Sequence, residues 1–160
     1  MLNVTIIAAG RIRDKFYIDA CTEYIKRLSA FCRLTILEIP AANLPDEPSQ
    51  QQVENALKRE SEQILKKIPK GALTVAMCVE GQQLSSEELA RELEKSAING
   101  TGSVCFIIGS SFGLSEDVKN HCSLRLSMSK MTFPHTLARV MLLEQLYRAL
   151  SITAGLKYHK

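Results

Sequence analysis

The 160-residue sequence lacks several features that would fix its class at a glance. No apolar run approaches the roughly 18 residues that a membrane span needs; Val140-Met141-Leu142-Leu143 is among the longest. Ala8-Ala9-Gly10 resembles a leader cleavage site, but no basic segment precedes the apolar stretch, so a buried first strand is expected instead. The five cysteines are odd in number and none is spaced C-x-x-C, which suggests small core residues in a reducing compartment. His121, His135 and His159 are scattered, so no metal site is expected. There is no repeat and no low-complexity segment. These absences leave a soluble, cytoplasmic, single-domain protein over residues 1–160 as the expectation.

What is present supports a core. Hydrophobic residues make up 46% and charged residues 23%, a globular balance on a chain long enough to bury one without disulfides. The net charge of +3 decides nothing by itself, but its distribution is uneven. Residues 121–160 carry Arg125, Lys130, Arg139, Arg148, Lys157 and Lys160 against Glu144 alone. A basic end on a nearly neutral chain fits a phosphate-bearing partner, although helix-terminal cations on a solvated face would give the same count.

Periodicity alternates strand and helix along the chain. Apolar or β-branched runs predict strands at Leu2–Ala8, Arg33–Ile39, Ala72–Val79, Val104–Ile108 and Leu124–Met128. Between them, helical spacing begins at Asp14, and a long polar helix opens at Ser49 and closes before Pro69 and Gly71. Ser85 with Glu88 forms a capping box for a third helix, which Asn99-Gly100 ends. A short helix is expected around Ser115–Asn120, and a last one from Pro134 to about Thr153. Such alternation with apolar inner strands predicts an α/β fold: a mainly parallel sheet flanked by helices. The last helix is apolar nearly all round, which predicts burial on more than one side and packing on a second subunit. For Arg139 a structural ion pair is the default; Arg148, nearer the tail, is weighted toward a ligand.

Ligands of open α/β sheets bind beyond the carboxyl ends of the strands. Three segments fall there: Met77 to Gly81, Ile107 to Leu114, and Ser127 to His135. Gly109 and Gly113 allow close backbone approach or positive φ, but a G-x-x-x-G loop is weak evidence and by itself reads rather as an ordinary tight strand-to-helix turn. The segment from Ser127 feeds directly into a helix N-terminus and is as consistent with a ligand as with a plain cap. The tail Tyr158-His159-Lys160 ends in a phenol, an imidazole and an ammonium, groups able to hold and move protons.

Taken together, these segments resemble the ribosomal RNA large subunit methyltransferase H family of SPOUT (α/β-knot) methyltransferases. The matching elements are Gly10-Arg11-Ile12-Arg13, Glu23 to Leu28, Gly81 with Leu84-Ser85-Ser86, Phe106 to Leu114, Ser129 to His135, Glu144 to Ala149, and the tail. The resemblance covers the whole chain. It implies a homodimer whose C-terminal segment is threaded as a trefoil knot, against the usual rule for chain connections. It also implies S-adenosyl-L-methionine as cofactor and N3 of a pseudouridine in helix 69 of 23S ribosomal RNA as target. By position, Met77, Gly109 and the run Met128, Ser129, Lys130, Met131, Thr132 and Phe133 would hold the cofactor. His159 would act as base, with Tyr158, Arg148 and Lys160 handling the nucleotide and its phosphate. The chain departs from the family's usual Gly-Gly-Ser-Asn-Gly at Ser110 and Phe112, and has Met77 where leucine is frequent. Two rivals are a SPOUT enzyme for another RNA, such as a transfer RNA, and a non-catalytic ribosome-binding factor. A P-loop hydrolase lacks its lysine and hydroxyl.

Overall fold

The computed structural model describes residues 1–160. Five strands and five helices alternate: β1 (Leu2–Ala9), α1 (Lys15–Leu28), β2 (Cys32–Ile39), α2 (Gln50–Lys67), β3 (Leu73–Gln83), α3 (Ser86–Ile98), β4 (Ser103–Ile108), α4 (Glu116–His121), β5 (Leu124–Ser127) and α5 (His135–Thr153). All strand pairs are parallel, in the order β2-β1-β4-β3-β5. The expected parallel sheet flanked by helices is what forms.

Strand alternation sends the two faces into different cores. Val4, Ile6, Ala8, Val104, Phe106 and Ile108 point to a large core that includes Leu142, Leu143 and Leu146 of α5. Ile7, Ala9, Cys105 and Ile107 point the other way, onto Ile64 of α2 and Val118 of α4. Because both faces are covered, the central strands are mostly apolar, with Thr5 and Thr74 as buried polar exceptions. On the first face α5 lies between α1 and α3. All five cysteines are free. Burial pushes the Cys105 thiol up to about 12 and Cys32 up to about 11, as expected of core thiols that stay protonated.

Caps set the helix starts. Ser49 and Ser85 each complete a capping box, with Gln52 and Glu88 returning a side-chain bond to the cap N–H. Ser115 caps α4 by accepting from the Val118 N–H. Arg139 takes the structural role expected of it, on Glu38 and the Gly10 carbonyl.

One strand is longer than its sequence suggests. β3 does not end near Val79 but continues to Gln83, with a register break in which both Met77 and Gln82 face Leu126. The residues between them bulge out. Beyond Met77 the strand has passed the end of β4 and pairs with β5 alone, so polar Glu80, Gln82 and Gln83 can face solvent. Gly81 is required there: a Cβ would stand 2.7 Å from the Arg125 carbonyl carbon.

Candidate active site

A cleft of about 820 Å³ opens beyond the carboxyl ends of β3, β4 and β5. Its walls are the three segments nominated above. Met77 and the bulge after it form one wall, Gly109 to Leu114 a second, and Met128 to His135 a third. Met77, Gly109, Met128, Ser129, Met131, Thr132 and Phe133 line it as expected. Lys130 does not: its side chain is exposed and lies off the lining, so the third segment contributes its neighbours instead. Ser129 Oγ accepts from the Met131 N–H and the Ser129 carbonyl accepts from Ser127, a local turn that carries Lys130 outward.

Of the two freedoms expected of Gly109, close backbone approach is the one used, toward its own loop. It lacks positive φ, and a Cβ on it would lie 2.3 Å from the Gly113 carbonyl oxygen. Its missing side chain therefore lets the loop close on itself. Gly113 does take positive φ, +78°, with open space around it.

Lys119 also lines the cleft and belongs to none of the nominated segments. Lys119 of α4 bridges Glu80 of the bulge and Glu116 of its own helix, tying the bulge to α4. Burial opposes the charge on Lys119, but Glu80 outweighs it and raises the ammonium pKa; the same contact holds the Glu80 carboxyl below its ordinary value. His135, at the start of α5, is shifted down by burial and then by Arg139, both of which favour the neutral ring.

The tail lies elsewhere. Glu144 Oε1 accepts from Arg148 Nη2 at 2.6 Å, Arg148 Nε at 3.0 Å and the Tyr158 hydroxyl at 3.1 Å. The Tyr158 ring meets Tyr147 edge-on at 4.7 Å, and the Arg148 guanidinium covers its face at 4.7 Å. His159 Nε2 stands 2.7 Å from Glu87 Oε1, and its Nδ1 stands 3.4 Å from Arg148 Nη1. Thus Arg148, Tyr158 and His159 come together as nominated, while Lys160 stays exposed. None of the four lines the cleft of its own chain. Glu144 is one of the partners the sequence leaves open to Arg148, beside a backbone carbonyl or a ligand phosphate, whereas nothing in the sequence marks Glu87 as the partner of His159.

The cleft suits a nucleoside-bearing ligand. Its volume falls in the range of roughly 300–1,000 Å³ usual for such sites. Its floor is apolar (Met77, Ile108, Leu126), and its loops offer backbone donors and acceptors. No helix is long and apolar enough to cross a membrane, and no group of three or more His, Cys, Asp or Glu is placed to hold a metal.

Comparison with known proteins sets the class first. The family model described as "Predicted SPOUT methyltransferase" matches residues 2–159. SPOUT methyltransferases use S-adenosylmethionine. The chain is 46% identical over 160 residues to the "Ribosomal RNA large subunit methyltransferase H" of Moorella thermoacetica, covering 100% of both. It is 43% identical over 159 residues to the protein of the same name from Acetivibrio thermocellus, covering 99% of this chain and 100% of that one. This chain therefore belongs to the ribosomal RNA large subunit methyltransferase H family of SPOUT methyltransferases. Among solved structures, the tRNA (m1G37) methyltransferase of Aquifex aeolicus shares the fold at a TM-score of 0.54 and 14% identity, over 99% of this chain and 73% of that one.

Proposed function

We propose that this chain methylates N3 of a pseudouridine in helix 69 of 23S ribosomal RNA, on assembled ribosomes in the cytoplasm. It would act as a homodimer whose C-terminal segment is threaded as a trefoil knot. The observation that carries this reading is a separation. The cleft read as the cofactor site and the cluster of Arg148, Tyr158 and His159 lie apart within one chain. A site shared between two chains joins them, with the tail of one protomer closing over the cleft of the other.

When bound, S-adenosylmethionine supplies an electrophilic methyl on a sulfonium, which the target nitrogen takes as the sulfur–methyl bond breaks. The residues around Met77, Gly109 and Met128 to Phe133 would hold it, with Lys130 at the rim rather than in the wall. The N3 proton must leave, and His159 is the group to take it. Glu87 at 2.7 Å fixes the imidazole until substrate arrives. Tyr158 would stack on the nucleobase or orient it. Arg148 and Lys160 would hold phosphate and favour the developing anion. For Arg148 this means exchanging Glu144 for the nucleotide, since the guanidinium is engaged in the free chain. With a net charge of only +3, affinity for isolated RNA is weak and ribosome shape supplies recognition.

The test incubates unmodified ribosomes with the protein and labelled cofactor, then maps the methylated nucleotide by mass spectrometry. Methyl at N3 of the helix 69 pseudouridine is expected, with naked 23S RNA a poor substrate. Deleting residues 156–160 should abolish transfer and spare cofactor binding. Label in transfer RNA, or undiminished transfer by the truncated chain, overturns the reading.

A further inference from the structure

Glu60 of α2 is the one buried acid of the chain, 5% exposed, and no cation pairs with it. Burying a carboxylate without a counter-ion is costly, so it needs a reason. Its partner is Ser110: the hydroxyl donates to Glu60 Oε1 at 2.6 Å across fifty positions of sequence. Ser110 is the second residue of the loop that walls the cofactor cleft. The next residue of α2, Ser61, also buried, makes a hydroxyl–hydroxyl contact with Ser115, just past the far end of the same loop. Helix α2 therefore grips the loop on both sides of Gly113, while the loop's own closure at Gly109 and Gly113 fixes its middle.

From this geometry we infer that Glu60 is a positioning residue for the cofactor, acting through Ser110 to hold the Gly109–Gly113 loop in its binding shape. The inference rests on the reading of the cleft as the S-adenosylmethionine site. Glu60 does not itself line the cleft and touches no reacting group; it sets the loop that does. The pair also gives Ser110 a role, since a glycine there could offer the carboxylate only a backbone N–H.

The test uses the full chain and calorimetric titration with S-adenosylmethionine. Glu60→Ala and Ser110→Ala should each weaken binding about ten-fold. The double variant should be no worse than the weaker single, because both remove one contact. Glu60→Gln keeps an oxygen acceptor and should stay within about three-fold of the parent. In turnover on ribosomes, KM for the cofactor should rise while kcat is kept. Hydrogen exchange at residues 109–114 of the ligand-free protein should quicken in Glu60→Ala and not in Glu60→Gln. If Glu60→Ala fails to fold, Ser110→Ala, altered at a loop rather than inside a helix contact, carries the same comparison. Unchanged affinity and exchange in both alanine variants, additive losses in the double variant, or Glu60→Gln behaving as Glu60→Ala overturns the inference. If the parent takes up no cofactor, the reading of the cleft fails, and the exchange result still decides whether Glu60 holds the loop.

Discussion

Arg139 Nη1 donates to Glu38 Oε2 at 2.8 Å, joining the last helix to the end of β2 across 101 positions of sequence. Its Nη2 reaches the Gly10 carbonyl at 3.1 Å, and its Nε has no partner. The guanidinium side chain is 6% exposed, so it depends on this one carboxylate. Glu38→Gln should destabilise the fold by about 2 kcal/mol, below the full cost of a broken buried pair because Glu38 is partly solvated. Arg139→Met should cost less, since it removes the stranded Nε together with the charge. Urea midpoints of the three proteins decide; equal midpoints for Glu38→Gln and the parent would show the pair to be dispensable.

At Gly109 the prediction is about function more than stability. A methyl group there meets the Gly113 carbonyl at 2.3 Å, so the loop must open by something like an ångström. Transfer should fall on the order of 100-fold in Gly109→Ala, the usual consequence of such a displacement at a binding site. Gly113→Ala meets no atom and incurs only the strain of its positive φ, about 1 kcal/mol. Side-by-side rates for the two variants separate loop closure from loop flexibility.

Glu144 holds both Arg148 and Tyr158, which makes it the anchor of the tail. Glu144→Ala should reduce methyl transfer roughly 10- to 100-fold, less than the loss of the acid–base group itself, roughly 100- to 10,000-fold, because Glu144 only anchors the residues around it. Cofactor affinity should be unchanged, because Glu144 does not line the cleft. A loss of cofactor binding equal to the loss of rate would place Glu144 in the fold of the cleft instead.

His135 gives a pH dependence. Burial and Arg139 lower its folded pKa, so the unfolded chain takes up the proton more readily than the folded one. Stability should fall as pH drops below the unfolded value near ~6.5, and keep falling down to the lowered folded value. Glu80 and Glu87, also lowered, act in a separate window below their ordinary 4.5. Urea midpoints at about pH 7.5 and about pH 5.5 for the parent and His135→Asn read the effect. The variant should lose the slope; an unaltered slope would assign it to another group.

Much of the fold was legible because its signals are local. Ser85 and Glu88 announce a capping box, Asn99-Gly100 a helix end, and unbroken apolar runs a doubly covered strand. The far half of β3 was not legible. Glu80, Gln82 and Gln83 look like loop residues, and only pairing with β5 past the end of β4 makes them strand. Within the site, glycines and short motifs located the cleft walls, whereas the outward turn of the Lys130 side chain has no sequence signature. Glu60 and Ser61 lie between Ala56 and Ile64 on the inner face of a largely polar helix, where helical spacing can turn them inward but cannot say which loop they meet.

By itself, then, the sequence determined what hydrophobic spacing, caps and turn residues can determine: five parallel strands, five helices and a set of loops at one end, with the chemistry-bearing segments among them. The resemblance added a reaction. Only the tertiary structure decided which distant groups meet: Arg139 with Glu38, Ser110 with Glu60, Lys119 with Glu80, and His159 with Glu87. Those contacts join residues whose separations, up to 101 positions, carry no periodicity. They form because burial in a packed interior brings polar groups together that must then satisfy one another, and no local rule specifies the partner. The same holds for the separation of cleft and tail within one chain, which no spacing of residues specifies.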